Sequence, residues 1–467
     1  MAFLYLFSFL SLVVLAPPTA TANTSGATTI TVPLSPVTKH PSSDLYQILN
    51  IFASSSRSRA HHLKHPKHKT NTSDVVKTPV YPHSYGAYSV SLSFGTPSQT
   101  LPFIVDTGSS LVWFPCTSRY VCSKCDFSNV DPSHIPTFKP KLSSSAKLLG
   151  CKNPKCSWIL GPDVKSQCHD CDPSARNCTQ TCPPYIIQYG LGSTGGLLLL
   201  ETLKFPQKTV PNFLVGCSIF SMRQPAGIAG FGRSPESLPS QMGLKKFAYC
   251  LVPRRFDDTP VHSNLVLETG SGSDDHKARG ISYTPFRENP ATSNSVFQDY
   301  YYLTLRKIIV GDKGVKIPYG YLVPRSDGNG GMIVDSGSTF TFMEKPVFEP
   351  VAQELEKQMA NYSRAAAIEK LSGLRPCFNI SGKESGPIPE LIFQFKGGAK
   401  MTLPLENYFA IVADTSVVCL AIITDSGIGP QISSGPAIIL GSFQQQNYYV
   451  EYDLANKRLG FVKRNCV

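Results

Sequence analysis

The chain has 467 residues, of which 41% are hydrophobic and 16% are charged, with 35 glycines and 38 prolines. This length supports two or three domains with substantial cores, and the composition is that of a globular protein with many turns. Of the formal net charge of +12, residues 23–77 carry +5 (seven Lys and Arg against two Asp), and the remaining +7 is spread along the chain without a basic block or an RNA-binding signature, which argues against a nucleic-acid partner.

The amino end has the pattern of a secretory signal peptide, which we assign to residues 1–22. An apolar run from Phe3 to Ala16 precedes two prolines and the small residues Ala20 to Ala22, which suit cleavage. The run is too short to span a bilayer comfortably, and no later run reaches membrane length. We therefore expect a mature protein that is secreted and free of the membrane, in the extracellular (cell-wall) space, with the vacuole left open as a destination.

Residues 23–77 differ in character from the chain that follows. Ser, Thr and Pro are frequent and no strand alternation is evident, so we predict a pro-segment or a disordered linker. A His and Lys cluster extends from His61 to Lys69, and histidine changes charge in the pH range of an acidifying secretory compartment. We hypothesise that this basic segment covers an acidic cleft and is released as the pH falls; a merely solvated linker is the alternative.

Strand patterns recur after residue 78, for example from Tyr88 to Phe94 and from Tyr300 to Leu305, which predicts a mostly β protein. The 14 cysteines of this secreted chain are interpreted as disulfides, and nine of them lie between Cys116 and Cys182. Zinc binding is the rival interpretation, because this region contains two Cys-x-x-Cys spacings.

Two short strings carry the chemistry of the chain: DTGSS at residues 106–110 and DSGST at residues 335–339. Each follows an apolar run, so each places an aspartate where a buried strand turns sharply. A carboxylate there needs partners, which the following hydroxyls can supply. Two such turns brought face to face would set Asp106 beside Asp335, and two close carboxyls share one proton. Such a pair can activate water.

The chain divides into two halves with matching landmarks, which indicates an internal duplication. Each half has one aspartate string followed by an apolar run that contains glycine, at residues 226–230 and 438–441. We place the boundary near residue 275, in a polar Gly and Ser segment, so the halves are residues 78–275 and 276–467. One helix is predicted, from about Lys345 to Ala360, with an apolar i, i+4 stripe.

At this point the chain resembles the pepsin-like aspartic proteases, and specifically the plant nepenthesin-type and atypical branch. The resemblance covers roughly residues 85–467 and rests on FGTP at 94–97, the two aspartate strings, YGLGS at 189–193 and ILGSF at 439–443, in the order of the family. It implies two similar β-rich lobes with a central cleft and a Cys-rich insertion in the first lobe.

The resemblance also implies residue roles. Asp106 and Asp335 match the catalytic dyad, while Ser109 and Ser338 match the hydroxyls that bond the outer carboxylate oxygens. The remaining matches are the flap tyrosine, the residue that supports it, and two glycines that leave room for substrate backbone: Tyr189, Trp113, Gly108 and Gly337.

The family mechanism needs no cofactor and no metal, and it hydrolyses a peptide or protein substrate at acidic pH. One chain carries both aspartates, so dimerisation has no catalytic purpose and a monomer is expected. The main alternative is a non-catalytic relative that inhibits glycoside hydrolases such as xylanases.

By analogy with the family, Cys377 pairs with Cys419, Cys250 with Cys466, and Cys217 with one cysteine among 116, 122 and 125. Leu191 departs from the flap of the plant relatives, where Asp is usual. Glycosylation motifs occur at five asparagines, of which we expect three in the mature protein: Asn177, Asn361 and Asn379.

Overall fold

The computed structural model describes residues 29–36, 45–64, 87–125, 135–168, 180–190, 192–253, 262–270, 280–291, 295–381, 387–412, 416–425 and 435–466. The predicted signal peptide lies outside these residues, as do Asn177, Leu191, Cys171 and Cys178. The fold is mostly β, as the recurring strand patterns predict.

The large majority of the regular structure consists of strands: β1 (Thr29–Pro36), β2 (Tyr88–Phe94), β3 (Gln99–Asp106), β4 (Trp113–Pro115), β5 (Val121–Ser123), β6 (Lys147–Leu148), β7 (Tyr185–Gln188), β8 (Ser193–Phe205), β9 (Lys208–Met222), β10 (Gly227–Gly230), β11 (Lys246–Cys250), β12 (Ser263–Glu268), β13 (Ser282–Pro285), β14 (Tyr302–Leu303), β15 (Leu305–Val310), β16 (Lys313–Gly314), β17 (Met332–Val334), β18 (Thr341–Met343), β19 (Ser363–Arg364), β20 (Cys377–Asn379), β21 (Leu391–Phe395), β22 (Lys400–Leu403), β23 (Phe409–Val412), β24 (Val417–Leu420), β25 (Ile422–Ile423), β26 (Ile438–Leu440), β27 (Tyr448–Asp453) and β28 (Arg458–Lys463).

The α-helices are mostly short: α1 (Leu45–Lys64), α2 (Pro154–Leu160), α3 (Leu238–Met242), α4 (Tyr319–Leu322), α5 (Lys345–Gln358), α6 (Ala366–Ser372) and α7 (Leu405–Tyr408). Helix α5 is the one that the i, i+4 stripe predicts, and it ends two residues earlier than expected. Its stripe residues Val347, Val351 and Leu355 are buried in the main core.

The strands form one large sheet and three small ones. The 15-stranded sheet has the order β13-β28-β27-β11-β12-β1-β2-β3-β10-β4-β9-β8-β6, with β5 paired to β9 and β7 paired to β8. The small sheets have the orders β14-β17-β26-β18-β25, β16-β15-β21-β22 and β19-β20-β24-β23. The large sheet contains strands from both sides of residue 275, so β-sheet pairing crosses the boundary that the sequence predicts.

One strand arrangement occurs twice and positions both aspartates. Strand β10 pairs in parallel with β3 and antiparallel with β4, and β26 pairs in the same two ways with β17 and β18. Asp106 is the last residue of β3, and Asp335 follows β17 directly. The apolar runs before the aspartates are buried because their side chains pack into the hydrophobic core clusters on the faces of the sheets. The matching landmarks of the two halves therefore correspond to matching strand geometry.

The segment before residue 78 is more ordered than its composition indicates, and the prediction of a linker without strands is wrong for its described parts. Ile30, Val32 and Leu34 alternate with exposed residues in β1, which inserts between β12 and β2. Residues 45–64 form the 20-residue helix α1. Both elements contact residues that lie far away in the sequence, and local composition carries no information about such contacts.

Disulfides join both halves internally and to each other. The described pairs are Cys116–Cys217, Cys122–Cys125, Cys151–Cys168, Cys156–Cys182, Cys250–Cys466 and Cys377–Cys419. They include the three pairs that the resemblance implies. Among the described residues, no cluster of His, Cys, Asp and Glu has the arrangement of a metal site. None of the described helices is long and apolar enough to cross a bilayer.

Candidate active site

The structure brings the two aspartate turns into direct contact. A Cβ atom placed on Gly108 would lie 2.7 Å from Asp335 Oδ1, and one placed on Gly337 would lie 2.5 Å from Asp106 Oδ1. Both distances are below van der Waals contact, so each turn requires glycine for the other turn to approach. Asp106 and Asp335 are 2% and 0% exposed, which places both carboxyls at the buried junction of the two halves.

Thr107 and Ser336 lock the two turns together through reciprocal hydrogen bonds. The Thr107 amide donates to Ser336 Oγ at 3.1 Å, and the Ser336 amide donates to Thr107 Oγ1 at 2.9 Å. Each hydroxyl in turn donates to a backbone carbonyl of the opposite strand, Val334 at 3.2 Å and Val105 at 2.8 Å. This symmetric network fixes the spacing of the carboxyls, because every buried donor in it has an acceptor.

The outer oxygens of the two carboxyls have equivalent partners. Ser109 Oγ donates to Asp106 Oδ2 and Ser338 Oγ donates to Asp335 Oδ2, each at 2.6 Å. The inner oxygens accept from the amides of Gly108 at 3.0 Å and Gly337 at 2.9 Å. These matched bonds orient the two carboxyl groups in equivalent ways.

The electrostatic environments of the two aspartates differ. Burial, with the adjacent Asp335 charge, raises the pKa of Asp106 to about 6. Burial also acts to raise the pKa of Asp335, but the charge and hydrogen bonds of Arg59 outweigh it, so this pKa lies below its ordinary value. With Arg59 in place, Asp335 is thus stabilised as the anion, while Asp106 takes up a proton more readily.

A β-hairpin carries Tyr189 over the aspartates. Strands β7 and β8 pair antiparallel, and the Tyr189 amide donates to Gly192 O at 2.6 Å across the turn. Trp113 Nε1 donates to Tyr189 Oη at 2.8 Å. Burial raises the pKa of Tyr189 well above its ordinary value, so its hydroxyl stays protonated and available as a donor.

Helix α1 occupies the cleft between this hairpin and the aspartates. Arg59 donates from Nη2 to Asp106 Oδ1 at 2.6 Å and from Nε to Asp335 Oδ2 at 3.0 Å. The residue is 5% exposed. Burial opposes its charge, but the two carboxylates outweigh burial and raise the pKa of Arg59. A Cβ on Gly190 would lie 2.7 Å from Arg59 Cα, so the hairpin packs directly onto the helix.

Further residues of α1 anchor it along the carboxy-terminal half. Arg57 donates from Nε to Thr424 O at 3.1 Å, and Ser56 Oγ accepts from the Phe340 amide at 2.9 Å. His61 Nε2 lies 2.7 Å from Asp425 Oδ1, and Lys64 Nζ contacts the Glu344 carboxylate. The contacts involve basic and hydroxyl side chains, so the helix fits this cleft through charge and hydrogen bonding as well as through apolar packing.

Asp299 supports the first aspartate turn from behind. Its carboxylate accepts hydrogen bonds from Ser110 Oγ at 2.8 Å and from Ser234 Oγ. Burial raises the pKa of Asp299 to about 6. Neither Asp299 nor Arg59 could be predicted as a site residue from the sequence, because neither lies in a motif that indicates its partner. The only local signal for Arg59 was the basic character of the segment before residue 78.

Two of the predicted glycosylation sites, Asn361 and Asn379, lie in the described part of the chain. Asn361 is exposed, and Asn379 Oδ1 accepts from the Ser381 amide at 2.9 Å within its own motif.

Comparisons with known proteins give a consistent family assignment. Sequence profiles described as "Xylanase inhibitor N-terminal" and "Xylanase inhibitor C-terminal" match residues 88–267 and 300–463. Aspartic proteinase nepenthesin-2 of Nepenthes gracilis is 33% identical over 405 residues, which cover 85% of this chain and 81% of that protein.

Two solved structures have the same fold. The structure titled "Crystal structure of edgp" aligns with a TM-score of 0.62 at 20% identity, over 93% of this chain and 95% of that one. Basic 7S globulin from soybean aligns with a TM-score of 0.59 at 17% identity, over 94% and 97% of the two chains. At these identities the likeness extends to the fold alone.

Proposed function

We propose that this chain, which belongs to the nepenthesin-type plant aspartic proteases and matches both xylanase-inhibitor profiles, is an aspartic endopeptidase made in a latent form. The observation that carries this proposal is the pair of buried carboxyls held face to face by matched serine and glycine donors. A turn aspartate with a merely structural role needs no second carboxyl beside it.

The proposed reaction follows from one proton shared by the two aspartates. Once the cleft is open, the ionised carboxylate takes a proton from a water molecule, and the protonated carboxyl polarises the scissile carbonyl. Attack by the water gives a tetrahedral diol. Return of a proton to the nitrogen then releases the amine, so no covalent intermediate and no cofactor are required. The pair must be singly protonated, which gives an acidic pH optimum.

Latency follows from the position of Arg59. Its guanidinium fills the space between the two aspartates, where a peptide carbonyl and the attacking water must lie. The Tyr189 hairpin is closed over α1 and not over a substrate. The position of residues 45–64 supports the hypothesis that this basic segment covers an acidic cleft as a pro-segment. Activity requires that α1 leaves the cleft.

The proposal is tested with the full-length protein, from which α1 is released at acidic pH. Wild type and Asp106→Asn are incubated with a mixed peptide library between pH 3 and 7, and cleavage products are identified by mass spectrometry. We expect cleavage below about pH 6 by the wild type only, because the variant lacks one of the two acid-base groups. No cleavage by the wild type, or equal cleavage by both proteins, overturns the proposal.

A second candidate function is suggested by the names of the matching profiles, which describe xylanase inhibitors. In that case the cleft would serve as a binding surface for a glycoside hydrolase, and neither aspartate would be needed. The same proteins distinguish the two functions in a xylanase assay, where a binding protein would inhibit equally with and without Asp106→Asn. The intact pair of aspartates and the Tyr189–Trp113 hydrogen bond favour the peptidase.

We further propose that the peptidase is secreted and acts as a monomer. The cysteine pairing agrees with an oxidising secretory route, and both aspartates come from one chain.

A further inference from the structure

Lys64, at the end of α1, is enclosed in a pocket of the carboxy-terminal half. The residue is 1% exposed. Its Nζ atom donates to the Glu344 carboxylate and to Pro436 O, the latter at 3.1 Å. The same atom lies 5.6 Å from the centre of the Phe342 ring. A carboxylate, a carbonyl oxygen and an aromatic face are together the groups that a desolvated ammonium requires. We call this site the Lys64 pocket.

The walls of the Lys64 pocket belong to the carboxy-terminal half, where they are hydrogen-bonded to neighbouring residues of that half. The Glu344 amide donates to Ala437 O at 2.9 Å, and Glu344 O accepts from the amides of Val347 and Phe348 at the start of α5. The carboxylate thus lies at the amino end of a 14-residue helix, where the helix dipole favours a negative charge. Phe342 lies in β18, which pairs with β26. Departure of α1 leaves these walls in place.

The pocket lies close to the two aspartates along the cleft. Lys64 follows Arg59 by five residues on one helix, a rise of about 7.5 Å. An extended peptide covers this distance in about two or three residues. Burial lowers the pKa of Lys64, while the charges of Glu344 and of Asp425, which pairs with His61 in the latent form, act to raise it. A peptide lying across the aspartates therefore brings a side chain to the pocket.

We propose that in the mature protein the Lys64 pocket is a subsite for a basic substrate side chain, two or three residues from the scissile bond. This inference rests on the proposed peptidase function. The pro-segment occupies the subsite with its own lysine, and a substrate lysine replaces it after maturation. The cleft would then select peptides by charge at this position, in addition to any apolar selection elsewhere.

The test uses the full-length protein at acidic pH, where release of α1 opens the cleft, and a series of peptides of one sequence. Each peptide carries Lys or Met at one of the positions two or three residues before or after the cleaved bond. We expect kcat/KM to favour Lys over Met by about 10- to 100-fold at one of these positions, the range of a charge-assisted hydrogen bond to a desolvated carboxylate. In Glu344→Gln this ratio should fall close to one. Glu356 lies on α5 and forms an ion pair with Arg364 outside the Lys64 pocket. The matched control Glu356→Gln should therefore keep the wild-type ratio of kcat/KM for Lys over Met.

A second variant keeps the subsite testable if Glu344→Gln does not fold. Phe342→Leu removes the aromatic face but keeps the carboxylate, and it should lower the Lys-to-Met ratio by about 2- to 5-fold. Cleavage of peptides with no Lys preference overturns the subsite, as does a preference that both variants retain. Failure of the wild type to cleave any peptide overturns the peptidase function itself, so the two failures are distinguishable.

Discussion

His62 is the side chain of α1 whose protonation is expected to set the pH at which the helix leaves the cleft. Its ring faces the Tyr189 ring at a centroid distance of 6.5 Å. Burial and the nearby Arg59 charge, partly offset by Asp335, lower the pKa of His62 from 6.5 to about 4. The ring is therefore neutral while α1 occupies the cleft, and it binds a proton at higher pH once α1 has left. We expect His62→Asn to make release less sensitive to acid.

The magnitude follows from the linkage between proton binding and release. Above pH 6.5 the ring is neutral in both states and contributes little. As the pH falls from 6.5 towards 4, the released state alone binds the proton, which favours release by up to about 2 kcal/mol at pH 5. The ring retains some solvent contact, so we expect about half to all of this value, a 5- to 30-fold change in the released population.

Hydrogen–deuterium exchange of the α1 amides measures this population directly. Full-length wild type and His62→Asn are compared at pH 7 and pH 5, at times short relative to loss of the pro-segment. The α1 amides of the two proteins should exchange at equal rates at pH 7. At pH 5 those of the wild type should exchange about 5- to 30-fold faster than those of His62→Asn. His262→Asn changes an exposed histidine outside α1 and should behave as wild type. If the ratio of the wild-type exchange rate to the His62→Asn exchange rate is the same at both pH values, the proposed role of His62 in release is wrong.

Three further substitutions test the cleft. Asp335→Asn should reduce peptide cleavage by the matured protein at least about 1000-fold, because it removes one acid-base group. A smaller reduction in a fluorogenic assay contradicts the catalytic role of Asp335. Arg59→Met should weaken closure of the cleft by about 3 kcal/mol or more, since it leaves two buried carboxyls without their cation. Its pro-segment should be lost faster than that of wild type at pH 6, as followed on gels, and unchanged kinetics contradict the assignment. Tyr189→Phe loses the hydrogen bond from Trp113, worth about 1 kcal/mol, and should lower kcat/KM about 5-fold with little change in the pH profile; an unchanged kcat/KM contradicts a role for the hydroxyl.

The local sequence was sufficient to predict features whose interacting residues lie close together along the chain. The two aspartate strings contain their own donors, since Ser109 and Gly108 bond Asp106 within one turn. The stripe of Val347, Val351 and Leu355 predicts α5 because one face of that helix meets an apolar core. In both cases the information lies within a few residues of the feature.

Helix α1 shows why the rest could not be predicted. Its buried side chains include Ser55, Ser56, Arg59 and Lys64, so the buried face of the helix does not form a continuous apolar stripe in the sequence. These residues are buried because their partners lie hundreds of positions away in the sequence, at Phe340, Asp335 and Glu344. Composition alone therefore indicated a solvated segment.

The sequence by itself determined that this protein carries two equivalent aspartate turns in a duplicated, disulfide-linked β architecture. Only the tertiary structure decided that Arg59 lies between those aspartates and that Lys64 fills a pocket of the opposite half. The physical reason is that a buried charge is stable only beside its counter-charge. Chain topology, and not local pattern, brings the two together.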